Sequence, residues 1–166
     1  MSVSYADKPW QKHYDEGVPT EVDLPQHSLH DFLRQSAAKY PAQTAIIFKG
    51  TRITYRELDE MTDALAAGLV ANGFQKGDRA VIYMANTPQF VISYYGILKA
   101  GGIVIATNPL YSERELEHQL ADCGAETVLV MTLFYEQLKR VQKKGKTNVK
   151  RVIVTNIKEY LPVHLR

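Results

Sequence analysis

The sequence predicts an α/β fold, a parallel sheet with helices on both faces plus a small β-hairpin. Three observations carry this expectation. Short runs rich in β-branched residues recur at Arg79–Met84, Ile103–Ala106, Thr127–Met131 and Arg151–Thr155. Stretches with helical spacing lie between them, most of them opened by a capping residue. The runs are too far apart to close as hairpins, so right-handed crossovers and a sheet covered on both sides follow. Only Ala45-Ile46-Ile47-Phe48 and Thr51-Arg52-Ile53-Thr54 are close enough to pair directly, across a Lys49-Gly50 turn.

Residues 1–26 have no period. Pro9, Gly17, Pro19 and Pro25 punctuate them, and Tyr5, Trp10 and Tyr14 stand among charges. They read as an extended N-terminal arm, either docked through its aromatics on the domain or another subunit, or partly ordered. Residues 27–166 read as one α/β unit. Ser28 and Asp31 form a capping box, and Leu29, Phe32, Leu33 and Ala37 share a face of the helix that follows, which Pro41 ends. Thr54 and Glu57 form a second box, followed by Leu58, Met61, Leu65, Leu69 and Val70 at helical spacing up to Asn72-Gly73. Next come the strand Arg79–Met84, a mostly apolar helix over Phe90–Leu98 and the strand Ile103–Ala106. Both strands suit burial on two faces. Thr87 is placed to cap the helix, Pro88 to open it, and Gly101-Gly102 to end it where φ > 0 is needed. Ser112 and Glu115 form a third box, with Leu116, Leu120 and Ala121 inward and Cys123-Gly124 at the exit. The strand Thr127–Met131, the helix Leu133–Val141 with Leu138 and Val141 inward, and a fourth buried strand complete the series. Residues 156–166 suit neither a closing helix nor an edge strand, which points to a natural chain that continues.

The bulk numbers exclude several classes. A length of 166 residues is one domain or part of one, and a 45% hydrophobic share is enough for a core. A net charge of +2 is too small to indicate nucleic acid. A single cysteine, Cys123, rules out a disulfide framework and suits a reducing compartment. No signal-peptide pattern and no membrane-length apolar run is present, so a soluble, cytoplasmic protein is expected.

Motifs exclude more. There is no Gly-x-Gly-x-x-Gly after a strand, no His-Glu-x-x-His and no Gly-x-Ser-x-Gly. Gly145-Lys146-Thr147 resembles the end of a P-loop, yet Arg140 stands where that motif needs glycine, and a helix precedes it. His27 and His30 have no cysteine or third histidine near them and read as surface residues at a helix start. His118 reads as a solvated residue, and Cys123 as a small packed hydrophobe. Lys139, Arg140, Lys143, Lys144, Lys146, Lys150 and Arg151 crowd together. They suit either a weak contact with phosphates or an anionic membrane surface, or simple placement of cations at a helix C-terminus.

Ile53-Thr54-Tyr55-Arg56-Glu57-Leu58 resembles the first core motif of the adenylate-forming, AMP-binding superfamily. Gly77-Asp78-Arg79-Ala80 and Gly96-Ile97-Leu98-Lys99-Ala100-Gly101-Gly102 resemble its entry to the central strand and its second core motif. Asn108-Pro109-Leu110-Tyr111-Ser112, Arg114-Glu115-Leu116 and Gln119-Leu120 are similar to bacterial long-chain fatty-acid–CoA ligases, as are Lys8-Pro9-Trp10 and Gly17-Val18-Pro19. The resemblance covers nearly the whole chain and implies the N-terminal portion of the large domain of such an enzyme. It also implies a two-step reaction. A fatty-acid carboxylate attacks the α-phosphorus of Mg-ATP, giving acyl-adenylate and pyrophosphate, and the CoA thiol then displaces AMP. The family's phosphate-holding loop and its catalytic lysine have no counterpart here, so no catalytic, cofactor-binding or metal residue is expected among these 166. By resemblance, Asn108, Pro109, Leu110 and Tyr111 lie near CoA, although related ligases carry glycines where Pro109 and Leu110 stand. A plain surface turn is the other reading of that loop. The family also implies fatty acid, ATP and CoA as partners through downstream residues, and a homodimer through the arm. A free-standing α/β ligand-binding or dimerisation module without catalysis is the alternative.

Overall fold

The computed structural model describes residues 4–165, so the first three residues of the arm and Arg166 lie outside the described residues. The local sequence signals account for most element starts. The carboxylate of Asp31 accepts from the Ser28 N–H at 2.9 Å and opens helix α1, Leu29–Lys39. Strands β1, Thr44–Phe48, and β2, Thr51–Thr54, pair antiparallel across Lys49 and Gly50, both at positive φ. Two successive left-handed residues match the twist of the flanking strands. Thr54 and Glu57 cap α2, Tyr55–Ala71, and Ser112 and Glu115 cap α4, Glu113–Cys123. Between them lie β3, Arg79–Tyr83, α3, Pro88–Lys99, and β4, Ile103–Thr107. Then follow β5, Thr127–Met131, α5, Thr132–Lys143, and β6, Arg151–Thr155.

The four parallel strands run in the order β4-β3-β5-β6. The path steps outward from β3 to β4, then reverses across β3 to β5 and on to β6. Connections of one hand must then change faces at the reversal. They do: Leu69 of α2 and Ile97 of α3 pack on Ala80, Ile82 and Leu129, while Leu116, Leu120, Leu138 and Val141 of α4 and α5 pack on Val81, Tyr83, Val128 and Val130. A third cluster joins Leu33 of α1, Ile53 of the hairpin, Leu58 and Ile92.

Several expectations are corrected. β3 and β5 are buried on both faces, but β4 and β6 are the sheet edges and are half exposed. Thr87 occupies the N-cap position of α3, yet its hydroxyl makes no cap bond. Gly101 has φ +79°, whereas Gly102 is not left-handed. A Cβ on Gly102 would instead stand 2.5 Å from the Phe74 ring, so close approach explains that glycine. Leu29, Phe32 and Val70 are exposed, and Thr62 and Ala66 take inward positions on α2. Ala121 is exposed, because the inward stripe of α4 is only Leu116 and Leu120 wide. The arm is not extended throughout. It makes 3-10 turns at Tyr5–Asp7 and Gln11–His13, and the Tyr5 and Trp10 rings meet at 5.5 Å. Residues 157–160 and 163–165 form two further 3-10 turns.

Candidate functional site

In open parallel sheets, ligands meet the carboxyl ends of the strands at the point where strand order reverses. Here that point lies between β3 and β5. Three turns surround it: Met84–Thr87 after β3, Asn108–Ser112 after β4 and Asn156 after β6, while α5 follows β5 directly.

The loop Asn108–Tyr111 is built by local hydrogen bonds. The Asn108 Oδ1 accepts from the Leu110 N–H at 3.0 Å, and the Asn108 carbonyl accepts from the Tyr111 N–H at 3.2 Å. An asparagine folding back on its own loop in this way makes an Asx turn. Gln137 of α5 donates to the Tyr111 carbonyl at 2.6 Å and ties the loop to the helix layer. Pro109 is half-buried, and Leu110 is 86% exposed. Ser112 then opens α4. Its N–H and hydroxyl hold the Glu115 carboxyl below the usual range, the hydroxyl bond contributing most.

The loop divides two depressions. On one side is an open polar groove of about 810 Å³ along α4, lined by Tyr111, Arg114, Glu115, His118 and Asp122 among others. On the other is a trough of about 390 Å³ that includes Met84, Asn86, Phe90, Thr107, Asn108 and Pro109. Asn86 and Phe90 also line an adjoining trough of about 240 Å³, which reaches Ile47 and Phe48 of the hairpin. The sequence reading missed this trough, which segments distant along the chain assemble. Its one linear signal is the uncharged run Ala80–Leu98.

The donor set does not suit a triphosphate. None of the turns at the carboxyl ends of the four parallel strands contains a lysine, an arginine or a glycine. Cation and close backbone approach are what such a group requires. Gly145 follows α5 rather than a strand, so a P-loop is ruled out there. Among the described residues no cluster of His, Cys, Asp and Glu is placed to hold a metal ion. His30 lies 3.1 Å from the Ser28 hydroxyl, His27 stacks edge-on with Phe32, and His118 is exposed. Cys123 is half-buried against the α4–α5 core.

The basic cluster is largely paired. Arg140 bonds Glu113 at 2.5 Å, Lys144 and Lys146 hold Glu117 at 3.0 and 2.9 Å, and Lys150 meets Glu126 at 2.6 Å. Bonds from Arg140 and from Lys146 hold the Glu113 and Glu117 carboxyls below their usual range. Arg151 bonds Thr127 Oγ1 at 2.8 Å and also reaches the Asn72 carbonyl.

The motif residues singled out in the sequence lie mostly at the opposite end of the sheet. The Gly77 N–H donates to the Gly101 carbonyl at 2.9 Å, and the Ile103 N–H to the Asp78 carbonyl at 2.8 Å. The two motifs therefore clasp each other below the strands and act as framework.

With this geometry in place, comparison with known proteins adds the family. Residues 33–163 match the family described as AMP-binding enzyme. A long-chain-fatty-acid–CoA ligase of Bacillus subtilis (strain 168) is 44% identical over 159 residues, which is 95% of this chain and 28% of the relative. One from Yersinia pestis is 41% identical over 157 residues, again 28% of its length. The solved structure of a long-chain-fatty-acid–CoA ligase from Archaeoglobus fulgidus superposes with a TM-score of 0.78 at 30% identity, covering 89% of this chain and 32% of that one. The chain thus spans under a third of the length of these relatives. Such matches do not favour the free-standing module.

Proposed function

Because this chain belongs to the AMP-binding enzyme family, we propose that it is the N-terminal framework of a long-chain fatty-acid–CoA ligase. The observation that carries the reading is the continuous likeness to ligases of that name across almost the whole chain. In the proposal, residues 1–26 are an arm, and residues 27–166 are a portion of the large AMP-binding domain. The complete protein joins a fatty acid to CoA at the expense of ATP, with magnesium on the triphosphate. The residues of this chain perform none of that chemistry. They set the sheet, brace α2 against α3, and hold the Asn108–Tyr111 loop.

That loop is the segment we assign to CoA. Its support is the groove it borders, where the Arg114 guanidinium, beside Glu115 and Asp122, offers one cation to a phosphate-bearing ligand. Two finer features belong to the same reading. The arm pairs two copies through Trp10 and Tyr14, both of which are exposed. The basic patch gives at most a weak contact with anionic lipid, since Glu113, Glu117 and Glu126 neutralise much of it. A cytoplasmic location goes with these assignments.

The test is acyl-CoA formation by the complete gene product, supplied with palmitate, ATP, magnesium and CoA. Thioester formation is expected. Adenylation of amino acids with no activity on fatty acids would overturn the substrate class.

A further inference from the structure

The double trough at the carboxyl ends of β3 and β4 shares Asn108 and Pro109 with the CoA loop but lies on the other side of it from the α4 groove, and its lining is unusual. In a chain whose residues are 23% charged, none of the residues lining either depression carries a charge. A face that meets only water keeps charged side chains, whereas the centre of a protein interface is depleted of them. The rims carry large apolar side chains in the open, with Ile47 at 66% and Leu110 at 86% exposure. The walls also hold hydrogen-bonding groups. Asn86 and Asn108 stand on them, together with Thr87 and Thr107, whose hydroxyls are buried with no partner. Buried polar groups of this kind are rare and costly when unpaired. Among the described residues, two of the six such side-chain atoms, Thr87 Oγ1 and Thr107 Oγ1, belong to residues lining the trough.

These features select the occupant. A phosphate-bearing ligand would find no cation in the trough. An acyl chain would leave the exposed amides of Asn86 and Asn108 along the walls without a partner from the occupant. A polypeptide segment offers apolar side chains together with backbone donors and acceptors, which suits both kinds of wall. We propose that the trough between the hairpin, the α3 N-terminus and the Asn108–Pro109 turn is the docking surface for the remaining polypeptide of the ligase. The relatives have that polypeptide in quantity, since this chain matches only 28% of their length. The inference rests on the reading of the chain as part of a longer ligase.

Hydrogen–deuterium exchange tests it by following the same peptides in the complete gene product and in the 166-residue chain. Peptides over residues 83–90 and 105–110 are expected to exchange at least about tenfold more slowly in the complete product. Peptides on the exposed side of α4 should exchange alike in both. A complete product that leaves the trough peptides unprotected would overturn the docking surface while leaving the ligase reading intact. A gene that encodes nothing beyond these residues would remove both. Protection that instead grows with the concentration of the 166-residue chain would assign the trough to a second copy and overturn the proposal. Substitution gives an independent readout. Asn86→Lys and Ala106→Lys, at exposed positions, should lower the Tm of the complete product and leave that of the 166-residue chain unchanged, with Ala121→Lys as the silent control. Equal melting of all variants in both proteins would contradict docking at this face.

Discussion

The ammonium of Lys99, on a side chain only 1% exposed, lies 2.6 Å from the Asp59 carboxylate and 3.0 Å from the Asp59 carbonyl. Asp63, one turn further along α2, accepts from the same ammonium at 2.8 Å. One buried cation thus ties the end of α3 to the middle of α2 and is satisfied by three oxygens. Removing one partner of a buried pair costs more than the pair contributes, because a desolvated charge remains. Asp59→Asn/Asp63→Asn should therefore destabilise the fold by about 3 kcal/mol or more. Lys99→Met should cost less, since the carboxylates it leaves behind are partly exposed and can be hydrated. Urea denaturation of both variants measures the order, and equal losses would contradict it.

Two glycines of the second core motif are fixed by packing. A Cβ on Gly96 would meet Leu65 Cδ2 at 2.7 Å, and one on Gly102 would meet the Phe74 ring at 2.5 Å. Gly96→Ala and Gly102→Ala should each cost about 1–3 kcal/mol through overpacking. Gly68, within α2, has nothing within 4 Å of that position. Gly68→Ala should stabilise by up to about 1 kcal/mol through helix propensity alone. Thermal melts of the three variants provide the comparison.

These contrasts show what was legible in the sequence. The capping boxes at Ser28, Thr54 and Ser112 were readable because both partners lie three residues apart. The strands and the hairpin were readable from β-branched runs and a Lys49-Gly50 turn. Strand order was not, since pairing of β3 with both β4 and β5 is a long-range property. For that reason β4 and β6 were expected to be buried and prove to be edges. Spacing places Ala121 inward, but the buried stripe of α4 is only Leu116 and Leu120 wide. The Asn108–Tyr111 loop is assigned through resemblance alone, whereas the trough beside it needs residues from the hairpin, α3 and β4 brought together in space.

The capping boxes also set a pH dependence. Hydrogen bonds from Thr54 hold the Glu57 carboxyl below its ordinary value, and bonds from Ser112 do the same for Glu115. A depressed carboxylate stabilises the fold above its unfolded pKa of about 4.3 and loses that contribution as pH falls through the folded value. Stability should therefore drop as pH falls below about 4.3. Glu57→Gln/Glu115→Gln should be less stable at pH 7 and show a shallower acid decline. An unchanged acid slope in that variant would contradict the assignment.

The CoA assignment has a kinetic signature in the complete gene product. Gln137→Ala releases the Tyr111 carbonyl, and Arg114→Ala removes the cation of the adjoining groove. Each should raise the KM for CoA by about three- to tenfold, a loss of roughly 1 kcal/mol, while leaving fatty-acid-dependent ATP–pyrophosphate exchange intact. Equal damage to both half-reactions would indicate a purely structural loop.

The most direct measurement is ATP–pyrophosphate exchange with palmitate and magnesium, run on the 166-residue chain beside the complete gene product. Exchange is expected from the complete product and none from the chain, whose turns at the carboxyl ends of the parallel strands offer no lysine, arginine or glycine to a triphosphate. Exchange by the 166-residue chain at a rate approaching that of the complete product would contradict a purely framework role for these residues.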